Sequence, residues 1–542
     1  MSTPETTIYI CSGVPLNSRY NHSLYFDGVI AQQNYMQRYV VKTLAAYSFV
    51  RRSWTLKVEA ELVEAVKWNY LYFHYSNDAQ NYYYFINRVE YVNDSTVELF
   101  LELDLLQTYL FDLQFDDCLI EREHVTDDEV GKHTVSEGLD AGELVYRKYE
   151  TLSELTDYVI MILASYNPYT TTNKDNANTT GGVYGNVYSG LGLYAVPITK
   201  YKNLTDKIAT LTDEGLIDGI VSMWLYPKAL IELEGAQDWS DDMWCFNVSN
   251  VCETSVNFKP SANIGGYSPK NNKLMTYPFN VIEVSNNSGS TVTYREEFLH
   301  HNADGYIDFN VFGALTPDAG MRLAPDDYLN GNTETGNNHA INTPAFPTCA
   351  WNSDTYKIWL AQNQHTLDTQ KATSAVSAVA GLASVIGGTA MLLTGAGSGV
   401  GIGMIGGGTL SMVNSVIQVS NSIGTQEAAE KQADQMRGSF SPSINAAMKM
   451  HTFTIAQKQI TEERAKIIDG YFTMYGYKVN RIGRPSIHNR HGWTYVKTVG
   501  CNITGDFNNE DKTKIESIFD KGVTWWTTNA VMGRYDGANP TL

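Results

Sequence analysis

The chain has 542 residues and a formal net charge of −20 at pH 7. A chain of this length is expected to form roughly two to four domains with sizeable cores. The acidic balance argues against a protein that grips nucleic acid by neutralising its phosphates, and it suits a surface along which DNA slides without sticking. The abundance of Tyr, Thr, Asn and Gly, with alternating runs, predicts a mainly β protein with some α (α+β).

Cysteine usage and the N-terminus indicate where the protein folds. The six cysteines are scattered along the chain without a CxxC pair. The N-terminal residues lack a basic stretch followed by an apolar core, so we expect no secretory signal. The cysteines are therefore expected to be reduced core residues.

The first part of the chain, 1–125, is predicted to be a β domain that forms the wall of a sandwich or a tube. Its clearest strand is TVELFLEL, in which alternate apolar residues share one face: Val97, Leu99, Leu101 and Leu103. The preceding run Asn93-Asp94-Ser95 is typical of a hairpin turn.

Residues 126–350 are interpreted as a second, β-rich domain inserted after the first. A strand is predicted over Tyr158–Ala164, and the run VIEVSNNSGSTVTYREEF is predicted to form a hairpin. The following sequence REEFLHHNADG spaces Glu297, His300 and Asp304 as metal ligands on a helix would be spaced. The nearby Gly and Asn favour a hairpin end over a helix, so we expect surface polar residues here.

Other groups with possible chemistry are weaker still. Three pairs of carboxylates could suggest a glycosidase: Asp116/Asp117, Asp241/Asp242 and Asp326/Asp327. Adjacent residues point in different directions, however, and the two catalytic carboxylates of a glycosidase must lie about 5 to 9 Å apart across the substrate. His488 and His491 lie in a basic loop. We find no GxSxG, P-loop or dinucleotide motif. The sequence therefore predicts no catalytic residue, no metal site and no cofactor, and hence no enzyme.

One stretch, 372–426, differs from the rest of the chain. It contains no charged residue, no proline and no aromatic ring between Lys371 and Glu427, and its glycines crowd into 395–408. Polar, helix-favouring stems flank it, so 351–440 is predicted to be a hydrophobic helical or loop hairpin. Such an apolar surface must be buried in an oligomer, a partner or a bilayer.

The best window for membrane insertion, 375–393, is long enough to span the hydrocarbon layer. Its strong apolar residues contribute only about −2 to −4 kcal/mol to insertion, and each glycine costs about 1 kcal/mol of helix propensity. Marginal insertion suits a segment that starts sheltered and enters a membrane later. The residues predicted to penetrate the membrane are Val376, Val379, Leu382, Val385, Ile386, Met391, Leu392, Leu393, Val400, Ile402, Met404, Ile405, Leu410, Met412 and Val413.

The last part of the chain, 441–542, is predicted to be an α+β segment that closes onto the first domain. A helix is predicted over Ile455–Tyr475, capped by Gly476, with Ile460, Ile467, Ile468, Tyr471 and Phe472 on one face. A second helix is predicted in NNEDKTKIESIFDKG. Its buried stripe is expected to comprise Ile515, Ile518 and Phe519, with Gly522 beyond its end.

Both ends of the chain carry motifs that resemble a known family. LELDLLQT contributes Glu102, Leu103, Asp104, Leu106, Gln107 and Thr108, and REHV follows at 122–125. The motifs YGYKVNR at 475–481, the Gly-Asp-x-Asn-Asn run at 505–509 and IFDKGVTWW at 518–526 follow in order. Together they resemble the distal tail knob, or tail tube, proteins of small short-tailed bacteriophages of the picovirus type that infect Gram-positive bacteria.

The resemblance implies a viral structural protein at the distal tip of the virion tail. It implies a hexameric, β-walled tube whose hydrophobic loops plug the lumen and then insert into the host cell membrane. The implied partners are other copies of the chain, other tail proteins, host membrane lipids, and double-stranded DNA that passes through the lumen without specific binding. The protein would be made in the host cytoplasm.

Two other classes of function remain open from the sequence. A tail-associated cell-wall hydrolase would need a catalytic carboxylate pair. A receptor-binding adhesin would place a glycan pocket in the loop-rich middle of the chain. In either case the apolar segment would form an oligomer core without a membrane role.

Overall fold

The computed structural model describes most of the chain on both sides of residues 348–450. The described residues are 6–47, 54–75, 80–178, 181–184, 187–236, 238–239, 242–251, 253–314, 316, 319–329, 331–332, 339–347, 451–527 and 532–542. They divide into two compact units. The first unit comprises Met1–Leu144, Ala262–Asn280 and Ile460–Leu542, and the second comprises Val145–Ser261 and Val281–Gln459.

The described elements are mainly strands, as the composition predicts. The strands before residue 144 are β1 (Thr6–Ser12), β2 (His22–Leu24), β3 (Val40–Tyr47), β4 (Thr55–Glu59), β5 (Trp68–Tyr75), β6 (Asn81–Asn93), β7 (Thr96–Leu103), β8 (Gln114–Phe115) and β9 (Cys118–Glu123). The strands from Leu144 to Asn342 are β10 (Leu144–Thr151), β11 (Tyr158–Ala164), β12 (Gly182–Tyr184), β13 (Val187–Ser189), β14 (Gly192–Pro197), β15 (Ile220–Pro227), β16 (Ile231–Leu233), β17 (Phe246–Val251), β18 (Thr254–Phe258), β19 (Asn280–Ser285), β20 (Thr291–Tyr294), β21 (Ile307–Gly313), β22 (Met321–Pro325), β23 (Asp327–Tyr328), β24 (Gly331–Asn332) and β25 (Ile341–Asn342).

The last strands and the helices complete the described elements. The strands are β26 (Thr454–Ile460), β27 (Tyr477–Gly483), β28 (Trp493–Val499), β29 (Ile503–Thr504) and β30 (Val523–Trp526). The α-helices are α1 (Val29–Gln37), α2 (Leu62–Ala65), α3 (Leu105–Thr108), α4 (Tyr201–Asp213), α5 (Glu462–Tyr475) and α6 (Asn509–Lys521). The 3-10 turns are Ser153–Thr156, Lys174–Asn176, Ile198–Lys200, Ile217–Gly219, Lys228–Leu230, Glu234–Ala236, Asn272–Met275 and Glu296–Phe298.

The first unit is built on two larger sheets. One has the strand order β3-β1-β5-β6-β7-β4, and the other has the order β2-β30-β28-β9-β27. In β7 the side chains alternate between half-buried and buried positions, which confirms the predicted strand. Strand β30 pairs in parallel with β2 and antiparallel with β28, so the C-terminal strands share a sheet with N-terminal ones.

Helix α6 carries the buried apolar stripe that the sequence predicts. The side chain of Asn508 accepts a hydrogen bond from the backbone N–H of Asp511 at 2.9 Å, which caps the first turn. Ile515, Ile518 and Phe519 are buried in the core of the first unit. The helix ends at Gly522, whose φ of 95° lies in the region that glycine favours.

The predicted helix over Ile455–Tyr475 is wrong in its first third. Residues Thr454–Ile460 form β26, and helix α5 begins only after Thr461, whose hydroxyl accepts the N–H of Arg464. The sequence TIAQKQI alternates, and β26 lies between β10 and β19 in a sheet, so tertiary pairing prevails over helical composition. Ile467 was expected on the buried face but is 65% exposed.

The second unit contains sheets of order β10-β26-β19-β20, β15-β11-β14-β17-β16 and β18-β21-β22-β25. The predicted strand Tyr158–Ala164 is present as β11, and the predicted hairpin is present as β19 and β20. Strand β11 is buried along nearly its whole length because it lies between β14 and β15 and is covered on both faces. This central strand leads to the candidate site.

Candidate functional site

The apolar residues that the sequence predicts to penetrate a membrane all lie outside the described residues. They are Val376, Val379, Leu382, Val385, Ile386, Met391, Leu392, Leu393, Val400, Ile402, Met404, Ile405, Leu410, Met412 and Val413. The structure does describe the two residues that border this part of the chain, Pro347 and His451. Their surroundings form the candidate site.

Two neighbouring strands of one sheet hold these border residues. Strands β11 and β15 are antiparallel, with Ile160 opposite Leu225. The backbone N–H of Leu225 donates to the carbonyl oxygen of Pro347 at 2.9 Å. The hydroxyl of Tyr158 donates to the carbonyl oxygen of His451 at 2.8 Å. Both residues that border 348–450 are therefore bound by this pair of strands.

Aromatic side chains seal this place from water. The ring of Phe346 lies 4.7 Å from the ring of Tyr226 and 5.8 Å from the ring of His451, and all three residues are fully buried. The hydroxyl of Thr452 donates to the carbonyl oxygen of Leu152 at 2.8 Å, which fixes the chain after His451. We call Phe346, Pro347, His451 and Thr452 the segment base.

The imidazole of His451 is the unusual group in the segment base. Among the described residues, neither of its ring nitrogens has a hydrogen-bond partner. Burial lowers its pKa from 6.5 to about 4, because the charged form would lose its hydration without gaining a partner. His451 is therefore neutral at physiological pH, and its ionisation would work against the packing of the base.

The sequence reasoning missed the segment base. Aromatic or histidine side chains stand on both sides of residues 348–450, at Phe346 and at His451, but other aromatic residues such as Trp359 and Phe440 lie nearer the apolar stretch, so the sequence does not single these positions out. Their pairing depends on long-range packing against β11 and β15, which periodicity cannot show.

The first motif of the family resemblance forms a buried polar network in the first unit. Asp104 caps α3 by accepting the N–H of Gln107 at 3.1 Å, and it also accepts the hydroxyl of Tyr70 at 2.7 Å. Burial raises the pKa of Asp104 to about 7 despite these bonds. The hydroxyl of Thr108 accepts the N–H of Tyr83 at 3.1 Å.

Gln107 ties α3 to the N-terminal strands. Its side-chain N–H₂ group donates to the hydroxyl of Ser23 at 3.1 Å and to the carbonyl of Leu24 at 2.9 Å. Its side-chain oxygen accepts from Gln32 of α1 at 3.0 Å. The Asp-Leu-Leu-Gln-Thr run therefore positions helices and strands, and its role is structural.

The second motif, at 122–125, is also buried. Arg122 and Lys273 both pair with Glu137, and the three side chains are 8%, 3% and 1% exposed. Arg122 also donates to the carbonyl of Gly476 at 2.6 Å. Gly476 has φ 62°, and a Cβ there would lie 2.1 Å from the carbonyl oxygen of Glu123, so only glycine fits this close approach.

His124 is fixed in one neutral tautomer. Its Nδ1 accepts the backbone N–H of Tyr495 at 2.7 Å, so Nε2 carries the proton and donates to the carbonyl of Thr473 at 3.1 Å. Burial, and next the positive charge of Arg490, lower the pKa of His124 to about 3. A histidine bound this way links β9 to β28 and α5, and its imidazole stays neutral near neutral pH.

The weaker chemical clusters are not assembled into a site. His300 donates its backbone N–H to the carbonyl of Asp327. Asp304 lies in a turn, and its backbone N–H donates to the side-chain oxygen of Asn302 at 3.1 Å. Glu297 lies in a 3-10 turn and not in a helix. The expected hairpin end is thus present, closed by the bridge between His301 and Ile307.

Other residues considered for chemistry in the sequence analysis make ordinary structural contacts. Asp117 faces Arg484 at 3.7 Å, Asp326 accepts from Asn310 at 3.0 Å, and His488 stacks on Tyr25 at 4.2 Å. Asp241 lies outside the described residues. Among the described residues, no group of three or more His, Cys, Asp or Glu is arranged to hold a metal ion. No helix in the described ranges is both long and apolar enough to cross a membrane.

Comparisons with known proteins cover nearly the whole chain. Residues 246–540 match the family model of the C-terminal domain of tail knob protein gp9 from Bacillus phage phi29, and residues 4–114 match the N-terminal part of caudoviral major tail proteins. The chain is 23% identical to tail knob protein gp9 of phage phi29 over 606 residues, covering 98% of each chain. It is also 23% identical to tail knob protein gp9 of Bacillus phage B103, covering 97% of each chain.

A solved structure shares the fold. The tail knob protein gp12 of bacteriophage C1 superposes with a TM-score of 0.64 at 13% identity, covering 99% of this chain and 100% of that one. The matched family models define a structural protein of a bacteriophage tail. The chain belongs to the tail knob family of phage phi29 gp9, from short-tailed phages of Gram-positive hosts.

Proposed function

We propose that the chain forms a hexameric tube at the distal tip of the tail, through which DNA is ejected. In this proposal residues 372–426 of each copy plug the lumen and then penetrate the host cell membrane. The observation that carries the proposal is the uncharged run 372–426, which lies within residues 348–450, whose two borders, Pro347 and His451, are both held by buried strands. Such an attachment lets the segment change its surroundings while the second unit stays folded.

Each part of the chain receives a role in this proposal. Residues 1–125 and 441–542 form the tube wall, except for the part of the latter before Ile460, which belongs to the second unit. Residues 126–350 form the knob, except for the part before Val145 and for Ala262–Asn280, which belong to the first unit, and 351–440 form the hairpin. The membership of the tail knob family supports a structural role without enzymatic turnover. Other tail proteins are the partners on the virion, and the tip of the tail is the site of action before insertion into the host membrane.

The charge of the chain supports the role as a DNA conduit. A protein that carries a net charge of −20 repels phosphates at most places on its surface, so DNA passes without specific binding. A conduit needs such a surface because each basic contact would slow the passage of DNA.

Flotation with liposomes tests the membrane role. Replacing both Val385 and Ile386 with Asp adds about 5 to 7 kcal/mol to the insertion free energy, which exceeds the gain of about 2 to 4 kcal/mol from the apolar residues of this window. We expect the wild-type chain to float with liposomes and the double variant to stay in the lower fractions. The matched control, Ile386→Leu, should float like wild type. Equal flotation of the double variant would overturn the membrane role of this window.

A further inference from the structure

Three large apolar side chains lie side by side on an exposed face of the first unit. In the sheet, Ile482 of β27 is opposite Leu119 of β9, and Leu119 is also opposite Val499 of β28. Ile482 is 81% exposed, Val499 51% and Leu119 39%. We call these three residues the apolar row.

The apolar row is not the edge of a core. The neighbours of Leu119 along β9, Cys118 and Ile120, point to the opposite face and are buried. Adjacent strands lie about 4.8 Å apart, so the row crosses three strands and spans roughly 10 Å. A single exposed apolar side chain is ordinary on a protein surface, but three in cross-strand register form a continuous apolar surface.

Charged residues surround the row in pairs of opposite sign. Asp117 faces Arg484 at 3.7 Å, and both side chains are largely exposed. Glu121 pairs with Lys497 at 2.7 Å. Both acidic residues of this rim, Asp117 and Glu121, have a basic partner, so the rim is locally neutral in a chain whose net charge is −20.

An apolar row with a neutral rim favours some binding partners over others. DNA and anionic lipid headgroups bind surfaces with an excess of positive charge, which this rim lacks. Two copies of an acidic chain repel each other wherever their net charges meet, but they can approach at a neutral rim. Exposed ion pairs such as Asp117–Arg484 contribute little within one copy and can exchange partners across an interface.

We propose that the apolar row and its neutral rim form a contact surface for a second copy of this chain. This inference rests on the proposed homo-oligomer and names a surface through which its copies meet. In the assembled protein Ile482 becomes buried against the neighbouring copy, and the rim pairs across the contact.

The test compares full-length proteins by sedimentation velocity over a range of concentrations. We expect Ile482→Glu to weaken self-association by at least about tenfold, because an unpaired carboxylate would be buried at the contact. Ile30→Glu is the matched control, since Ile30 is 74% exposed on α1, and it should sediment like wild type. Circular dichroism and the melting temperature establish that both variants fold.

A second variant gives a reading that does not depend on a disruptive charge. Ile482→Cys should react rapidly with a maleimide in dilute protein and be protected at concentrations where the chain assembles. The described native cysteines Cys11, Cys118, Cys245 and Cys501 are all buried, so their background reaction is slow.

The outcomes separate this inference from the proposed function. Assembly by wild type, dissociation by Ile482→Glu and protection of the new cysteine would support the contact surface. Assembly by wild type that Ile482→Glu leaves unchanged, with the cysteine reactive throughout, would overturn the contact surface and leave the proposed oligomer standing. A wild-type chain that stays monomeric at every concentration would overturn both.

Discussion

The ring of His451 lies 5.8 Å from the ring of Phe346, although residues 348–450 separate Pro347 from His451 along the chain. The buried aromatic pair joins the two borders of that segment inside the second unit. Hydrogen bonds from Leu225 and Tyr158 hold the adjacent backbone carbonyls. Because the base is dry and tightly packed, changes in it should alter the stability of the second unit directly.

Removing the aromatic ring of Phe346 from the segment base should destabilise the second unit. Phe346→Ala removes a fully buried ring, and large-to-small changes of this kind cost about 3–5 kcal/mol. We expect the opening free energy of β11 and β15, measured by hydrogen exchange, to fall by that amount. Tyr149→Ala is the control, since Tyr149 is 73% exposed, and it should change the same quantity by less than about 0.5 kcal/mol. Equal effects would contradict the packing described here.

Acid should weaken the second unit through His451. Because burial lowers the pKa of His451 from 6.5 to about 4, the unfolded chain takes up a proton at a higher pH than the folded chain does. Stability is therefore fully present above pH 6.5 and is lost as the pH falls toward 4. His451→Phe removes the titrating group and should flatten the pH dependence of exchange in β11 between pH 7 and 4.5. An unchanged slope would show that other groups dominate, and His300→Gln serves as the exposed control.

Raising the pH should make the Asp104→Asn variant more stable relative to the wild-type chain. Burial raises the pKa of this carboxyl from 3.8 to about 7, so its stabilising contribution is present below pH 3.8 and is lost as the pH rises through 7. Asp104→Asn keeps a side-chain oxygen that can accept the N–H of Gln107 but cannot ionise. We expect the variant to gain stability relative to wild type between pH 5 and pH 8.5 in denaturation of the first unit. A constant difference across that range would contradict the buried, titrating carboxyl.

Neutralising the shared carboxylate at 137 should destabilise the first unit strongly. Glu137→Gln leaves the buried cations Arg122 and Lys273 without their counter-charge, and such losses cost about 3–5 kcal/mol. Glu510→Gln breaks an exposed pair with Lys514 on α6 and should cost only about 0.3–0.5 kcal/mol. Urea denaturation of both variants measures the difference, and a small effect at Glu137 would mean that the triad is solvated.

Local patterns in the sequence predicted several elements well. The alternation in β7 and the apolar stripe of α6 each repeat with the period of their element, and Gly522, expected beyond the end of α6, is a short-range signal. The same reasoning was wrong at β26, because Ile455–Ile460 contains good helix formers while its place between β10 and β19 is decided by distant residues.

The functional features also divide into those set by local sequence, which were predicted, and those set by long-range packing, which were not. Composition alone singled out 372–426, because the lack of charge is a local property. The segment base could not be predicted, since Tyr158, Leu225 and Phe346 come together only through the order of strands in the second unit. The motif residues Asp104 and Arg122 were noticed by resemblance, but their buried hydrogen bonds required the fold.

The central claim is that the uncharged segment opens membranes, and dye release from liposomes tests it most directly. The intact chain is compared with a variant whose residues 375–417 are replaced by a short Gly-Ser linker, at neutral and mildly acidic pH, with assembly checked in parallel. We predict dye release by the intact chain and none by the linker variant, with both assembling equally. Equal release by the two proteins, or none by an assembled intact chain at any pH, would contradict the claim.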